Sequence, residues 1–156
     1  MNNMFTQRKI PEIHPALSRF TDVFVKSSRL TVLDLSDNAL NLDGAKAISP
    51  FLKECLSLRE LYLHNTGLGP YGGVFIADAL LEACMKGRRT GRPYNLQRFV
   101  LGRSRLETSG IKYANVFAAI GTLVEVQMSQ NGMDDEAIVA LYKSMCLNPN
   151  LEVLNL

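Results

Sequence analysis

The stretch that decides the fold of this chain is Leu30-Thr31-Val32-Leu33-Asp34-Leu35-Ser36-Asp37-Asn38-Ala39-Leu40. It fits the pattern LxxLxLxxNxL at every defined position. This pattern is the signature of a leucine-rich repeat, a unit in which a short β-strand is followed by a turn and a helix. Because one such unit cannot bury its apolar face alone, further copies are expected along the chain.

Further copies of the pattern do follow in the same register. The leucines that open the five copies are Leu30, Leu58, Leu96, Leu123 and Leu151. The spacings between them are 28, 38, 27 and 28 residues. A period of this length lies at the long end of the leucine-rich range of about 20–29 residues, where each unit pairs one strand with one α-helix. The longest spacing contains about ten extra residues, and we place them in a surface loop at 85–94 because this stretch carries glycine and proline.

The repeats predict an α/β fold, a leucine-rich-repeat solenoid with a parallel sheet on the concave face and helices on the convex face. Leu33 and Leu35 are expected to point inward, since successive residues of a strand face opposite sides. Apolar spacing predicts helices over 11–26, 42–55, 70–85, 108–120 and 134–147, and a degenerate strand is expected at 3–8. We expect residues 1–156 to form one domain, a horseshoe segment of a longer solenoid, because neither end carries a polar cap.

The asparagine position of the pattern is expected to turn inward after each strand. Asn38 and Asn131 occupy it in the first and fourth copies, where a side-chain amide can satisfy backbone groups that the bend leaves unpaired. Thr66 and Ser104 replace asparagine in the second and third copies. We expect their hydroxyls to form part of this bonding, but less of it.

Composition and charge exclude several classes of function. The net charge of +2 is too small to indicate nucleic-acid or membrane binding, and no apolar run approaches the roughly 20 residues of a membrane span. The N-terminus lacks the basic and then apolar plan of a signal peptide. Cys55, Cys84 and Cys146 are odd in number and lack metal-type spacing, so we expect small buried thiols, no zinc site and a reducing compartment.

Motifs of enzyme chemistry are weak in this chain. Residues 67–72 spell GxGxxG, but Leu68 is the last leucine of a repeat and Pro70 removes a backbone N–H where a phosphate would need a donor. The two histidines, His14 and His64, form no recognisable nucleophile motif, and the GxxxxGK[ST] phosphate loop does not occur. We therefore expect no cofactor, no metal and no hydrolytic site of the chain's own.

The concave face is predicted to bind another protein. Its outward strand positions combine polar, charged and aromatic side chains, a mixture that favours a protein partner over a small apolar ligand. The strand exits add the pairs Ser36-Asp37, His64-Asn65, Gly102-Arg103 and Ser129-Gln130. The basic residues of the insertion provide either a contact to an acidic partner or a solvated tip; they are Lys86, Arg88, Arg89 and Arg92.

Several stretches are more specific than a generic leucine repeat. They are residues 33–39 (LDLSDNA), 61–70 (LYLHNTGLGP) and 102–107 (GRSRLE), preceded by residues 5–8 (FTQR). In these stretches and in their order, over nearly the whole chain, the sequence resembles the Ran GTPase-activating protein family. The resemblance implies a role in nucleocytoplasmic transport, by binding a Ran-type small GTPase in its GTP-bound form and speeding GTP hydrolysis in trans.

The resemblance also implies roles for individual residues. Asn65 matches the catalytic asparagine of the family's LYLHN segment, which orients the GTPase's own glutamine, the residue that positions the attacking water. An amide suits this role because it can donate to and accept from a glutamine amide; without the resemblance, Asn65 would be interpreted as a turn-favouring residue. Arg8 matches an arginine that supports the interface, while Asp37 and Arg103 occupy matching strand exits as further partner contacts.

A second interpretation stays open. Gln7 stands where the family has glycine, Thr66 and Ser104 replace inward asparagines, and this chain contains neither the further repeats nor the acidic tail of the family. The alternative is a non-catalytic protein-interaction scaffold of ribonuclease-inhibitor type. Under either interpretation we expect a cytoplasmic protein that binds neither nucleic acid nor membrane, and the Ran interpretation adds the nuclear envelope as a second location.

Overall fold

The structure is a computed structural model that describes residues 10–25 and 29–156, with side chains from Pro15 onward. Strands and helices alternate along these residues. The elements are α1 (Ile10–Phe24), β1 (Val32–Asp34), α2 (Asn41–Glu54), β2 (Glu60–Tyr62), α3 (Gly69–Arg89), β3 (Arg98–Val100), a 3-10 helix (Glu107–Ile111), α4 (Lys112–Ile120), β4 (Glu125–Gln127), α5 (Asp135–Met145) and β5 (Val153–Asn155). One strand and one helix per repeat is the arrangement that the repeat period predicts.

The strands form one parallel five-stranded sheet in the order β1-β2-β3-β4-β5. Leu33 pairs with Leu61, Leu61 with Phe99, Phe99 with Val126, and Val126 with Leu154. These residues hold the same position of the repeat pattern, so each repeat lies directly beside the next. The predicted solenoid is confirmed, and residues one period apart occupy equivalent places.

The core lies between the sheet and the helices. Leu61 on β2 and Phe99 on β3 are fully buried, as are Tyr113 and Phe117 on α4. The rings of Phe99, Tyr113 and Phe117 contact one another at centroid distances of 5.4–5.9 Å, in tilted and edge-on geometries that aromatic rings prefer. Burying each such side chain contributes about 1.5–3 kcal/mol, which holds the repeats in register and fixes where each strand ends.

The inward asparagine position behaves as predicted. Asn38 donates to the carbonyls of Leu35 and Ser36 at 2.9 and 3.0 Å. Asn131 donates to the carbonyls of Leu101 and Met128, and its Oδ1 accepts from the Ser104 N–H at 2.9 Å. Asn131 therefore ties its own repeat to the preceding one through buried backbone groups, and Asn38 holds the turn of its own repeat.

Thr66 and Ser104 satisfy the same position jointly. Thr66 Oγ1 donates to the Leu63 carbonyl at 2.7 Å, and the two hydroxyls lie 3.1 Å apart within hydrogen-bond reach. Ser104 Oγ also lies 3.2 Å from the Leu63 carbonyl. Both residues are fully buried, so this hydroxyl pair replaces two asparagine amides with fewer bonds to the backbone.

The prediction that residues 85–94 form a surface loop is wrong for the first half of this insertion. Helix α3 continues to Arg89, so the first half of the insertion is helical, and only the second half is a turn. A Cβ on Gly87 would lie 2.7 Å from the Arg92 carbonyl oxygen and 2.9 Å from the Tyr94 nitrogen, so only glycine lets the turn fold back so closely. Tyr94 is buried, which anchors the insertion to the core.

The cysteine prediction is right for two residues and wrong for one. Cys55 and Cys84 are buried, and burial raises the pKa of the Cys84 thiol to about 11. Cys146 is exposed, because α5 ends at Met145 and it is Met145 that turns toward the core. The predicted strand at 3–8 lies outside the described residues.

Candidate functional site at the strand exits

Four residues occupy the same place in successive repeats, three positions after each of the first four strands ends. We call them the strand-exit row: Asp37, Asn65, Arg103 and Gln130. All four have left-handed backbone geometry, with φ between +54° and +60°. The chain must turn sharply here from the sheet toward the next helix, and the left-handed conformation provides that turn.

Backbone hydrogen bonds hold the row in place. The N–H of Asp37 donates to the His64 carbonyl and that of Asn65 to the Gly102 carbonyl, both at 2.8 Å. The N–H of Arg103 donates to the Ser129 carbonyl at 3.0 Å. The parallel ladder therefore continues past the strands, and it fixes these backbones while Asn65, Arg103 and Gln130 stay exposed.

Asn65 and Asp37 contact each other across one repeat. The Nδ2 atom of Asn65 donates to Oδ1 of Asp37 at 2.9 Å. An open cleft of about 320 Å³ lies beside this pair, and it is lined by Asp37, Asn38, Ala39, Asn41, Asn65, Thr66 and Gly67. Sequence reasoning placed both residues on strand exits but did not predict their contact. Their separation of one full repeat period was the feature that could have indicated it.

The other predicted site residues have different surroundings. Arg103 lies next to Asn65 in the row, and within the described residues its side chain forms no hydrogen bond or ion pair. Arg8 lies outside the described residues. The structure thus brings Asp37, Asn65 and Arg103 together along one edge of the sheet.

A charged network on the concave face was not predicted. Arg98 on β3 contacts Glu60 at 2.7 Å and Glu125 at 3.3 Å, so one guanidinium joins the carboxylates of both neighbouring strands. The Tyr62 hydroxyl donates to the other oxygen of Glu60 at 2.7 Å. Gln127 donates to Glu125. The repeat period could have indicated these contacts, because Glu60, Arg98 and Glu125 pair directly in the sheet register.

The network changes the acid–base properties of its members. Burial raises the pKa of the Tyr62 hydroxyl to about 12, and the hydrogen bond to the negative Glu60 adds to the shift. The hydrogen bond to Glu60 also raises the pKa of Arg98. The Tyr62 hydroxyl and the Arg98 guanidinium therefore both hold their protons more tightly than they would in water.

Within 10–25 and 29–156, no group of three or more His, Cys, Asp or Glu side chains could hold a metal ion. No helix in this part of the chain is both long and apolar enough to cross a membrane.

Comparisons with known proteins match the repeat and also find homologous proteins. The family described as Leucine Rich repeat matches residues 26–49. Ran GTPase-activating protein of Drosophila melanogaster is 40% identical over 155 residues, which cover 97% of this chain and 26% of that protein. Ran GTPase-activating protein 1 of Xenopus laevis is 43% identical over 137 residues, covering 85% of this chain and 24% of that protein. The chain is homologous to the Ran GTPase-activating proteins.

The homology has a defined extent. The chain spans about a quarter of the length of these two Ran GTPase-activating proteins. Among solved structures, the tropomodulin C-terminal domain of Caenorhabditis elegans superposes with a TM-score of 0.66, covering 86% of this chain and 76% of that one. At 14% identity this likeness shows the fold alone.

Proposed function

We propose that this chain binds a Ran-type small GTPase in its GTP-bound form and accelerates the hydrolysis of the bound GTP. The observation that carries the proposal is the exposed Asn65 amide, held by Asp37 on the strand-exit row within the LYLHN segment. Homology to the Ran GTPase-activating proteins supports the choice of partner.

The mechanism uses the GTPase's own chemistry. In small GTPases a glutamine positions the water that attacks the γ-phosphate, and a mobile glutamine does so only part of the time. A hydrogen bond between Asn65 and that glutamine restricts the glutamine's rotamers, so the attacking geometry is populated more often. This chain then needs no nucleophile, metal or nucleotide site of its own.

Residues beside Asn65 provide binding. Arg103 follows Asn65 along the row with its guanidinium free of partners among the described residues, so it can contact an acidic group of the GTPase. Asp37 lies on the other side of Asn65. We include Arg8 as an interface residue on the sequence resemblance. We place this activity in the cytoplasm, since free Cys55, Cys84 and Cys146 suit a reducing compartment.

A single-turnover assay with GTP-loaded Ran tests the proposal. We expect the chain to accelerate hydrolysis and Asn65→Ala to lose about 100-fold or more of that acceleration, the scale of removing one preorganised group that acts on a transition state. Gln130→Ala is the matched control, because Gln130 has the same backbone geometry and exposure in the same row. Equal rates for Asn65→Ala and the unchanged chain would exclude the mechanism.

The concave-face network favours a second candidate. Glu60, Tyr62, Arg98 and Glu125 form a broad, fixed, charged surface away from the strand exits, as a binding scaffold requires. Binding of GTP-loaded Ran without faster hydrolysis would support a non-catalytic scaffold of ribonuclease-inhibitor type.

A further inference from the structure

We propose that Asp37 is a positioning residue, which holds the Asn65 amide so that its oxygen, not its nitrogen, meets the partner's glutamine. This inference rests on the proposed function and names the polarity of the contact at the same site. It assigns Asp37 a role within the chain in addition to its predicted contact with the partner.

The contact between the two side chains has one possible polarity. An ionised carboxylate only accepts hydrogen bonds, so the Asn65 amide must turn its nitrogen toward Asp37. The amide oxygen lies on the other side of the amide group and faces away from the carboxylate. The backbone of Asp37 is fixed by the 2.8 Å bond from its N–H to the His64 carbonyl, so the sheet edge sets the position from which its carboxylate accepts.

The cleft beside Asn65 also presents hydrogen-bond acceptors. Asn41 turns its nitrogen back toward the Ala39 carbonyl, at 3.4 Å, and its oxygen lies 3.4 Å from the position of a Cβ on Gly67. The cleft therefore combines amide oxygens with the charge of Asp37, and it suits a side chain that donates hydrogen bonds.

Other members of the row lack this anchor. Among the described residues, the side chains of Arg103 and Gln130 make no hydrogen bond, although their backbones have the same conformation as Asn65. Asn65 is thus held in a way that the turn itself does not require.

The polarity has a chemical consequence in the complex. If Asn65 accepts from the glutamine NH₂ group, the glutamine carbonyl oxygen stays free to accept a hydrogen bond from the attacking water. In the reverse polarity the Asn65 NH₂ group would compete with the attacking water for the glutamine carbonyl oxygen. Asp37 thereby selects the productive orientation before the GTPase docks.

The orientation can be measured without any partner. In ¹H–¹⁵N spectra of the 156-residue chain, the Asn65 side-chain NH₂ signals should shift when Asp37→Asn replaces the accepting carboxylate with an amide. Asp43→Asn is the control, since it removes a carboxylate that contacts Lys46 rather than Asn65. An Asn65 signal unaffected by Asp37→Asn would overturn the proposal.

A polarity swap tests the consequence for hydrolysis. Asn65→Asp places two carboxylates against each other and should lose most of the acceleration, while Asp37→Asn should lose about three- to tenfold at saturating activator. The double variant Asp37→Asn/Asn65→Asp restores a donor facing an acceptor and keeps an outward oxygen at 65, so it should recover at least about tenfold over Asn65→Asp.

The outcomes separate the two proposals. A double variant no faster than Asn65→Asp would overturn the polarity, because an oxygen at position 65 would not suffice. An unchanged chain that gives no acceleration would overturn the proposed function, and the spectra would still decide whether Asp37 orients Asn65.

Discussion

The exits of the second and third repeats have the same backbone and different residues. In the second, the left-handed positions are Asn65, Gly67 and Gly69, with φ of +54°, +61° and +65°. In the third, they are Arg103, Arg105 and Glu107, with φ of +54°, +56° and +49°. The repeat therefore imposes this conformation whichever residue is present. The second exit uses residues suited to it, and the third does not.

The third exit therefore stores backbone strain that the second avoids. A residue other than glycine, asparagine or aspartate costs about 1–2 kcal/mol in the left-handed region. Bonds from neighbouring repeats hold the strained turn, including the Glu107 N–H to the Asn131 carbonyl at 3.0 Å. Arg103, Arg105 and Glu107 are all exposed, so packing does not explain their presence. Strain at exposed charged residues supports the proposal that this edge of the sheet contacts the GTPase.

The largest expected effect comes from removing the support of the third exit. Asn131→Ala should destabilise the chain by about 3 kcal/mol, because it breaks three buried hydrogen bonds to the Leu101, Met128 and Ser104 backbones. Thr66→Val, which removes only the hydroxyl bonds at the second exit, should cost about 1–2 kcal/mol. Urea unfolding measures both. Equal losses would mean that the hydroxyl pair supports its exit as well as the asparagine does.

Sequence reasoning predicted the parts of this comparison that follow from periodicity. The strand register, the inward Asn38 and Asn131, and the place of Asn65 all follow from apolar spacing, since burial leaves one arrangement for a repeated leucine. Asn65 was identified as a site residue because its LYLHN segment resembles that of the Ran GTPase-activating protein family. No composition or spacing argument distinguishes it from Gln130, which has the same position and exposure.

The remaining features depend on contacts between distant residues. The extension of α3 through Arg89 follows from the close approach of Gly87 to the returning chain and from burial of Tyr94. The Asp37–Asn65 bond depends on two side-chain conformations rather than on the repeat frame. Spacing shows which residues are neighbours, and it does not show which of their atoms meet.

Removing a glycine from the second exit and adding one to the third should change the folding stability in opposite directions. Gly67→Ala should destabilise by about 1 kcal/mol through its left-handed backbone alone, since the nearest atom, Asn41 Oδ1, is 3.4 Å from the added Cβ. Arg105→Gly should stabilise by about 0.5 kcal/mol, because the relieved strain exceeds the added freedom of the unfolded chain. Thermal unfolding measures both changes. If Arg105→Gly destabilises, Arg105 makes a contact in the fold that outweighs its strain.

The smallest effect concerns Tyr62 on β2 and its sheet partner Val100 on β3. The pKa of Tyr62 is raised from 10.0 to about 12, so between these values the unfolded chain has already lost the proton that the folded chain retains. Folding stability must then fall as pH rises through this window, and the loss from Tyr62 is absent below it. Because Val100 cannot titrate, this dependence belongs to the second repeat and not to the third.

Comparing Tyr62→Phe with the unchanged chain isolates this contribution. The difference in unfolding free energy should favour the unchanged chain at about pH 9 and shrink by about pH 11. Tyr142→Phe serves as control, since Tyr142 is an exposed tyrosine on α5, away from the network. A difference that stays constant over this range would show that the bond from Tyr62 to Glu60 does not hold the proton. The concave network would then be looser in the second repeat than its distances indicate.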